Sequence, residues 1–385
     1  MTSGQGPGTR QRWLVRYAPL WLVPTAVLVA LLLAEGFLRL RPQLLPERAQ
    51  IKRLYQLQTR VKSVGDPYLG FVYPPHYRTE IKTLDFSFLI ESDEHGFRNA
   101  SPWPEKADIV IVGDSMVYGW GVEKDVAWPS LVARRLPGKR IVNLGLPGTS
   151  PQQYLRYFER FGVELNPGIL VFGIFPGNDL VGAEDFDNWI KAGSPGNFDV
   201  WRFSGGRPPN AVMSVLERSL VMLLLKSMIE DLSEAHKAQS IKTIEGKRLQ
   251  LVPAVYKRAM RLNDPAASAF RGVIESAVTA RDLARENGAE FVAVLFPTKE
   301  AIYLPLQGTP FPSFAATLEQ ALEAEGIEVI NLTDRFRQRA AQGKKLFFRV
   351  DGHPNILGNR VIARALLKRL GAEDDRLKNS AGGDE

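Results

Sequence analysis

Residues 107–122 read ADIVIVGDSMVYGWGV, and the way this stretch is built decides the fold. Four apolar residues in a row, all of them β-branched, make a strand buried on both faces. The run stops at Gly113-Asp114-Ser115, which places a hydroxyl just past the carboxyl end of that strand. In an open α/β sheet this is the edge where ligands bind, and neighbouring backbone N–H groups can hold a developing oxyanion there. A Gly-Asp-Ser triplet is also an ordinary turn, so the serine needs partners elsewhere in the chain.

Working outward, short apolar runs alternate with amphipathic segments. Strands are expected at Asp108–Val112, Arg140–Asn143, Ile169–Phe175, Glu290–Phe296 and Glu328–Asn331. Helices are expected near 126–136, 152–162, 269–287, 314–325 and 356–370. The pattern predicts an α/β domain over 107–370, a three-layer sandwich around a five-stranded parallel sheet. Residues 183–265 break the alternation with a Gly/Pro-rich stretch and read as an insertion, a lid or substrate groove. Its stripe of Val215, Leu216, Leu220, Leu223 and Leu224 is expected to pack on the body.

Before this domain the chain carries no charge from Tyr17 to Ala34, which is long enough to cross a bilayer. The expected arrangement is a cytoplasmic tail at 1–16, a membrane span at 17–37, and a stalk and lead-in at 38–106. The stalk, residues 38–70, is read as a connecting helix from Ile51, Leu54, Leu57 and Val61 at helical spacing. Arg10, Arg12 and Arg16 before the span nearly balance Arg39, Arg41 and Arg48 after it. The topology of a short tail, one span and a large domain is that of a signal anchor, with the body extracytoplasmic, in the periplasm. Residues 371–385 have the composition of a disordered tail.

Composition removes several chemistries. The chain has no cysteine, hence no disulfide, thiolate or zinc-thiolate site. Its four histidines, His76, His95, His236 and His353, are too scattered for a helical metal site. No metal and no cofactor are expected. The net charge of +7 is spread along the chain without a basic block or nucleic-acid-binding signature, so nucleic acid is not an expected partner.

The other strand ends supply the missing partners. NLGLPG (143–148) brings Gly145 and Gly148, and FPGND (175–179) brings Asn178, whose amide can point into the same crevice. RVDGHPN (349–355) places Asp351 and His353 just before the last helix, a base for the serine and a carboxylate to orient it. Lys299, after the fourth strand, is a candidate substrate contact, and Arg98 in HGFRN is a weaker one.

GDS, NLGLPG, GND and DGHPN, in this order, resemble the SGNH/GDSL hydrolases, and the stretch around Ser115 is similar to bacterial members with an N-terminal membrane anchor. The resemblance implies a flavodoxin-like fold with Ser115 as nucleophile, His353 as base and Asp351 as its acid. It implies an oxyanion hole made of the Ser115 amide, Gly148 and the Asn178 side chain. The chain departs from the family pattern in two places. Val350 stands where many members carry the acid, and Pro176 stands where a glycine usually precedes the asparagine. The D-x-H form also resembles the alginate O-acetyltransferase-like branch. The implied activity is a serine esterase or acyltransferase acting on an ester or an acylated glycan, with a membrane acyl-donor partner if it transfers. An inactive binding or assembly protein of the cell envelope is the contrasting expectation.

Overall fold

The computed structural model describes residues 9–46, 49–50, 53, 61–204, 219–232, 241–244 and 247–372. The chain divides into two compact units, Met1–Thr59 with Pro209–His236, and Arg60–Pro208 with Lys237–Glu385.

In the first unit, helix α1 runs from Thr9 to Leu40, and its stretch Leu22–Leu40 is long and apolar enough to cross a membrane, with mean hydropathy 1.8. The Glu35 carboxylate accepts from the Ser219 hydroxyl and the Val221 N–H, at the start of the helix Leu220–Leu232. Leu220 and Leu223 bury against Leu38, Leu45 and Ala49, with Leu224 beside them. The described part of the apolar stripe therefore packs within this unit, where the sequence reading had expected it on the α/β body. Val215 and Leu216 lie outside the described residues, as do most of the expected stalk helix and the expected tail from 373 onward.

The second unit opens with two hairpins. Strands β1 (Val64–Asp66) and β2 (Gly70–Val72) pair antiparallel, as do β3 (Arg78–Lys82) and β4 (Ser87–Glu91). The helical reading therefore does not extend through 61–70. Gly65 and Pro67 oppose helix there, and the Asp66 carboxylate accepts from the N–H groups of Tyr68 and Leu69 to close a turn. The lead-in packs into the main core, with Leu69, Phe71, Phe88, Ile90 and Phe97 all buried there.

The sheet then forms from β5 (Ile109–Gly113), β6 (Ile141–Gly145), β7 (Ile169–Ile174), β10 (Glu290–Leu295) and β11 (Glu328–Asn331). All pairs are parallel, in the order β11-β10-β7-β5-β6. A hairpin of β8 (Ile241–Ile244) and β9 (Lys247–Gln250) stands apart from it. Side chains alternate between the faces, as a pleated strand requires. Val110, Val112, Leu170, Phe172, Ala293 and Leu295 join one core, whereas Ile109, Ile111, Val171, Val292 and Val294 join the other. Helices Pro151–Tyr157, Asp179–Lys191, Ser268–Glu286 and Phe314–Ala324 cover the first face. Trp128–Arg135, Lys299–Leu306, Thr333–Ala341 and Ile356–Arg369 cover the second. This is the expected three-layer α/β sandwich.

Two details differ from the sequence reading. The helix Asp179–Lys191 buries Leu180, Ala183, Phe186 and Trp189 in the first core, so residues 183–191 belong to the sandwich and not to an insertion. Helices Lys299–Leu306 and Thr333–Ala341 are additional members of the second helix layer.

Candidate active site

The strand order reverses at β5. The chain passes from β5 to β6 on one side and then back to β7 on the other, which opens a crevice beyond the carboxyl ends of β5 and β7. Ser115 and Asn178 stand at those two ends.

Asp114 caps the short helix Ser115–Tyr118, its Oδ1 accepting from Met116 N at 2.8 Å. The helix presses closely on the sheet, because a Cβ at Gly113 would collide with Val117. Ser115 thereby emerges at a fixed angle, 6% exposed. Its Oγ lies 2.7 Å from His353 Nε2 and 3.3 Å from Asp114 Oδ2.

His353 arrives from the far end of the chain, and its Nδ1 lies 2.5 Å from Asp351 Oδ1, which also accepts from the His353 backbone N–H at 2.8 Å. The two-residue spacing lets one carboxylate oxygen hold both the ring and the main chain of the histidine. Burial favours the neutral ring, but the Asp351 carboxylate outweighs it and holds the His353 pKa above its ordinary value. Burial likewise pushes the Asp351 carboxyl up, and the His353 charge with its hydrogen bonds brings it below the usual carboxylate range. Ser115, His353 and Asp351 are thus brought together in one hydrogen-bonded line. A serine hydroxyl in this setting can pass its proton to the imidazole as it attacks a carbonyl, and the imidazolium is stabilised by the carboxylate.

Asn178 Nδ2 donates to Asp114 Oδ2 at 2.9 Å, and its Oδ1 is buried with no partner among the described residues. An amide NH₂ has two protons, so one remains for a ligand oxygen. Asp114 is fully buried, and burial holds its carboxyl above the usual range against the lowering effect of the Asn178 and Met116 hydrogen bonds. Gly148 has φ +79, and the space where a Cβ would stand is filled by the Arg202 guanidinium, which donates to the Gly148 carbonyl. Neither the Ser115 nor the Gly148 N–H has a backbone acceptor among the described residues.

Lys299 is not brought to the crevice. It is 1% exposed, and its Nζ donates to the carbonyls of Phe348, Arg349, Val350 and Asp351 at 3.3, 3.4, 3.0 and 3.0 Å. The expectation of a substrate contact is corrected: every proton of this ammonium is used by the loop that leads to His353. Arg98 is buried too. Its guanidinium donates to the carbonyls of Leu89, Tyr118, Gly119 and Val122 and lies against the rings of Phe88 and Tyr118. Sequence reasoning missed Asp85, whose Oδ2 accepts from Val350 N at 2.5 Å and Asp351 N at 2.8 Å. It sits in an ordinary TLDF turn, and no local signal marks it. Trp120, with its ring centroid 6.2 Å from that of His353, was also unmarked.

Structures similar to this chain include a lipolytic protein of the G-D-S-L family from Veillonella parvula, at 15% identity over 68% of this chain and 96% of that one, TM-score 0.35. An acetyl xylan esterase, AlAXEase, aligns at 13% identity over 68% and 99%, TM-score 0.36. A GDSL-like lipase from Bacteroides thetaiotaomicron aligns at 11% identity over 71% and 92%, TM-score 0.33. No curated protein matches in sequence. Residues 256–382 match the model of the SGNH hydrolase-like domain of acetyltransferase AlgX. Residues 111–312, more than half of the 385, match the model of the GDSL-like lipase/acylhydrolase family, and the chain belongs to that family.

Proposed function

We propose that this protein is a serine ester hydrolase or O-acyl transferase that works through an acyl-Ser115 intermediate. The observation that carries the reading is the line Ser115 Oγ, His353 Nε2, His353 Nδ1, Asp351 Oδ1 at 2.7 and 2.5 Å. In the first half-reaction Ser115 attacks the ester carbonyl while its proton passes to His353, and the carbonyl oxygen takes the negative charge. The Ser115 and Gly148 N–H groups and the free N–H of Asn178 are the donors for that oxygen. Collapse breaks the ester bond, and the leaving alcohol takes the proton from His353. In the second half-reaction His353 removes a proton from water or from an acceptor hydroxyl, whose oxygen attacks the acyl-serine and frees the enzyme.

Transfer to a glycan is favoured by one observation, the match of the C-terminal third, which contains Asp351 and His353, to the AlgX domain. Envelope or exported polysaccharide is then the acceptor, with a membrane partner as acyl donor. The helix Leu22–Leu40 supports anchoring in a membrane, and the order of tail, span and domain supports an extracytoplasmic body.

The test is fluorophosphonate labelling and p-nitrophenyl acetate turnover by the full chain in detergent, wild type beside Ser115→Ala, with and without an oligosaccharide acceptor. We expect labelling at Ser115 and a loss on the order of 10⁴-fold or more in kcat for the variant, with the fold kept. Mass gain on the acceptor marks a transferase, and release into water alone marks a hydrolase. An unlabelled, inactive wild type with an intact fold would leave the inactive envelope-binding reading standing.

A further inference from the structure

Tyr154, on the helix Pro151–Tyr157, is fully buried between the loops that follow β6 and β7. Its hydroxyl lies 3.2 Å from the carbonyl oxygen of Thr149 and 2.5 Å from Asp179 Oδ1. Thr149 follows Gly148, and Asp179 follows Asn178, so one phenol spans the two loops that bring those residues to Ser115. The other oxygen of Asp179 accepts from Phe175 N at 2.7 Å, closing the turn that contains Pro176.

Counting protons decides the state of this cluster. A phenol has one proton, and both Thr149 O and an ionised Asp179 would need it. With a proton on Asp179 Oδ1 every group is satisfied: Asp179 donates to Tyr154, Tyr154 donates to Thr149 O, and Phe175 N–H donates to Oδ2. We propose that Asp179 is a neutral carboxylic acid in the folded protein, and that the chain Asp179–Tyr154–Thr149 fixes the spacing of the loops carrying Gly148 and Asn178. Both are positioning residues, and the role rests on reading Gly148 and Asn178 as the oxyanion donors.

The surroundings agree. Asp179 is 0% exposed, and among the described residues no cation is bonded to it. The charged and titratable groups facing the cluster are Asp114 after β5 and Tyr157 on the helix of Tyr154, with His353 beyond Asp114. Burial, and then repulsion from the Asp114 carboxylate, hold the Asp179 carboxyl well above the usual range.

Asparagine is the isostere of the neutral acid, since its NH₂ can donate to Tyr154 while its oxygen accepts from Phe175 N. The experiment compares Asp179→Asn, Asp179→Ala and Tyr154→Phe in the full chain, by ester turnover and by urea unfolding from about pH 5 to 8. Asp179→Ala and Tyr154→Phe are expected to lower kcat roughly 10-fold or more with KM little changed, and Asp179→Asn to recover most of the loss. An acid whose folded pKa is raised gives stability that is full below its unfolded value near 4 and is lost as pH rises toward the folded value. Asparagine loses nothing over that range, so the stability of Asp179→Asn relative to wild type should climb with pH. The opposite slope, or an Asp179→Asn variant no more active than Asp179→Ala, would overturn the neutral acid. Full kcat in Tyr154→Phe would overturn the positioning role. The unfolding series needs no turnover, so it decides the charge of Asp179 even if Ser115 proves inert.

Discussion

Replacing Lys299 by methionine separates two accounts of the same residue. From sequence, a lysine after a strand end is a substrate contact, and its loss raises KM. In the structure its ammonium holds the carbonyls of residues 348–351, the loop that carries Asp351 to His353. Hydrogen bonds to a charged group contribute about 1.5–3 kcal/mol each, and an ammonium can make three. Against this stands the cost of burying the charge, several kcal/mol, which methionine removes while filling the space of the stem. The net loss of stability is then about 2–4 kcal/mol, visible as a lower urea midpoint. With its carbonyls released, the loop no longer fixes Asp351 Oδ1 at 2.5 Å from the histidine ring. A shift of about 1 Å in such a group costs on the order of 10²-fold in rate. The assay is steady-state ester turnover by the full chain beside its urea unfolding curve. We expect kcat to fall about 10- to 100-fold with KM within roughly threefold. A raised KM with kcat and the urea midpoint both unchanged would refute the structural account and restore the substrate contact.

The raised His353 pKa places the acid limb of kcat/KM above the ordinary histidine value near 6.5, since the ring must be neutral to accept the serine proton. Asp351→Asn should move that limb to lower pH and lower the plateau by about 10³- to 10⁴-fold, read from a pH–rate profile. Because the Asp351 carboxyl is depressed in the fold, its stabilising effect exists above the unfolded value near 4 and is lost as pH falls through the folded one. The stability gap between wild type and Asp351→Asn should therefore close in acid. Asn178→Ala should cost about 10²- to 10³-fold in kcat with little change in KM, since the proposed role of its N–H is that of a donor needed only once the oxyanion forms. An effect confined to KM would place Asn178 in ground-state binding.

What was legible in the sequence was whatever lies within one short window. The sheet strands are continuous apolar runs because both faces are covered, and β11 was read with its observed bounds. Ser115, Asn178, Asp351 and His353 each sit at a strand end or before a helix, in motifs whose order carries the resemblance. The helices at 299–306 and 333–341 were missed for a physical reason. The first opens on two buried charged residues and contains Pro305, and the second buries only Thr333, Phe336 and Ala340, so neither shows an apolar stripe of helical period. Asp85 was missed because its partners are 265 and 266 residues away, and Tyr154 because a tyrosine in a helix reads as core whether or not its hydroxyl joins two loops.

The segment before the sandwich is where local reading failed most, and its buried charges say why it is needed. Arg98 ties the Leu89 carbonyl of β4 to the carbonyls of Tyr118 and Gly119, which end the helix begun by Ser115, and to that of Val122 in the turn beyond. Asp85, in the turn between β3 and β4, takes the N–H groups of Val350 and Asp351. Lys299 holds the carbonyls of that same loop. One hairpin thus reaches both the helix of Ser115 and the loop of His353, two elements separated by more than 200 residues of chain. A hydrogen bond of 2.7 Å between Ser115 and His353 demands that these elements keep their spacing, and neither belongs to a strand of the sheet. The carboxyl edge of the sheet positions the serine, and the hairpin sets the distance at which the histidine meets it.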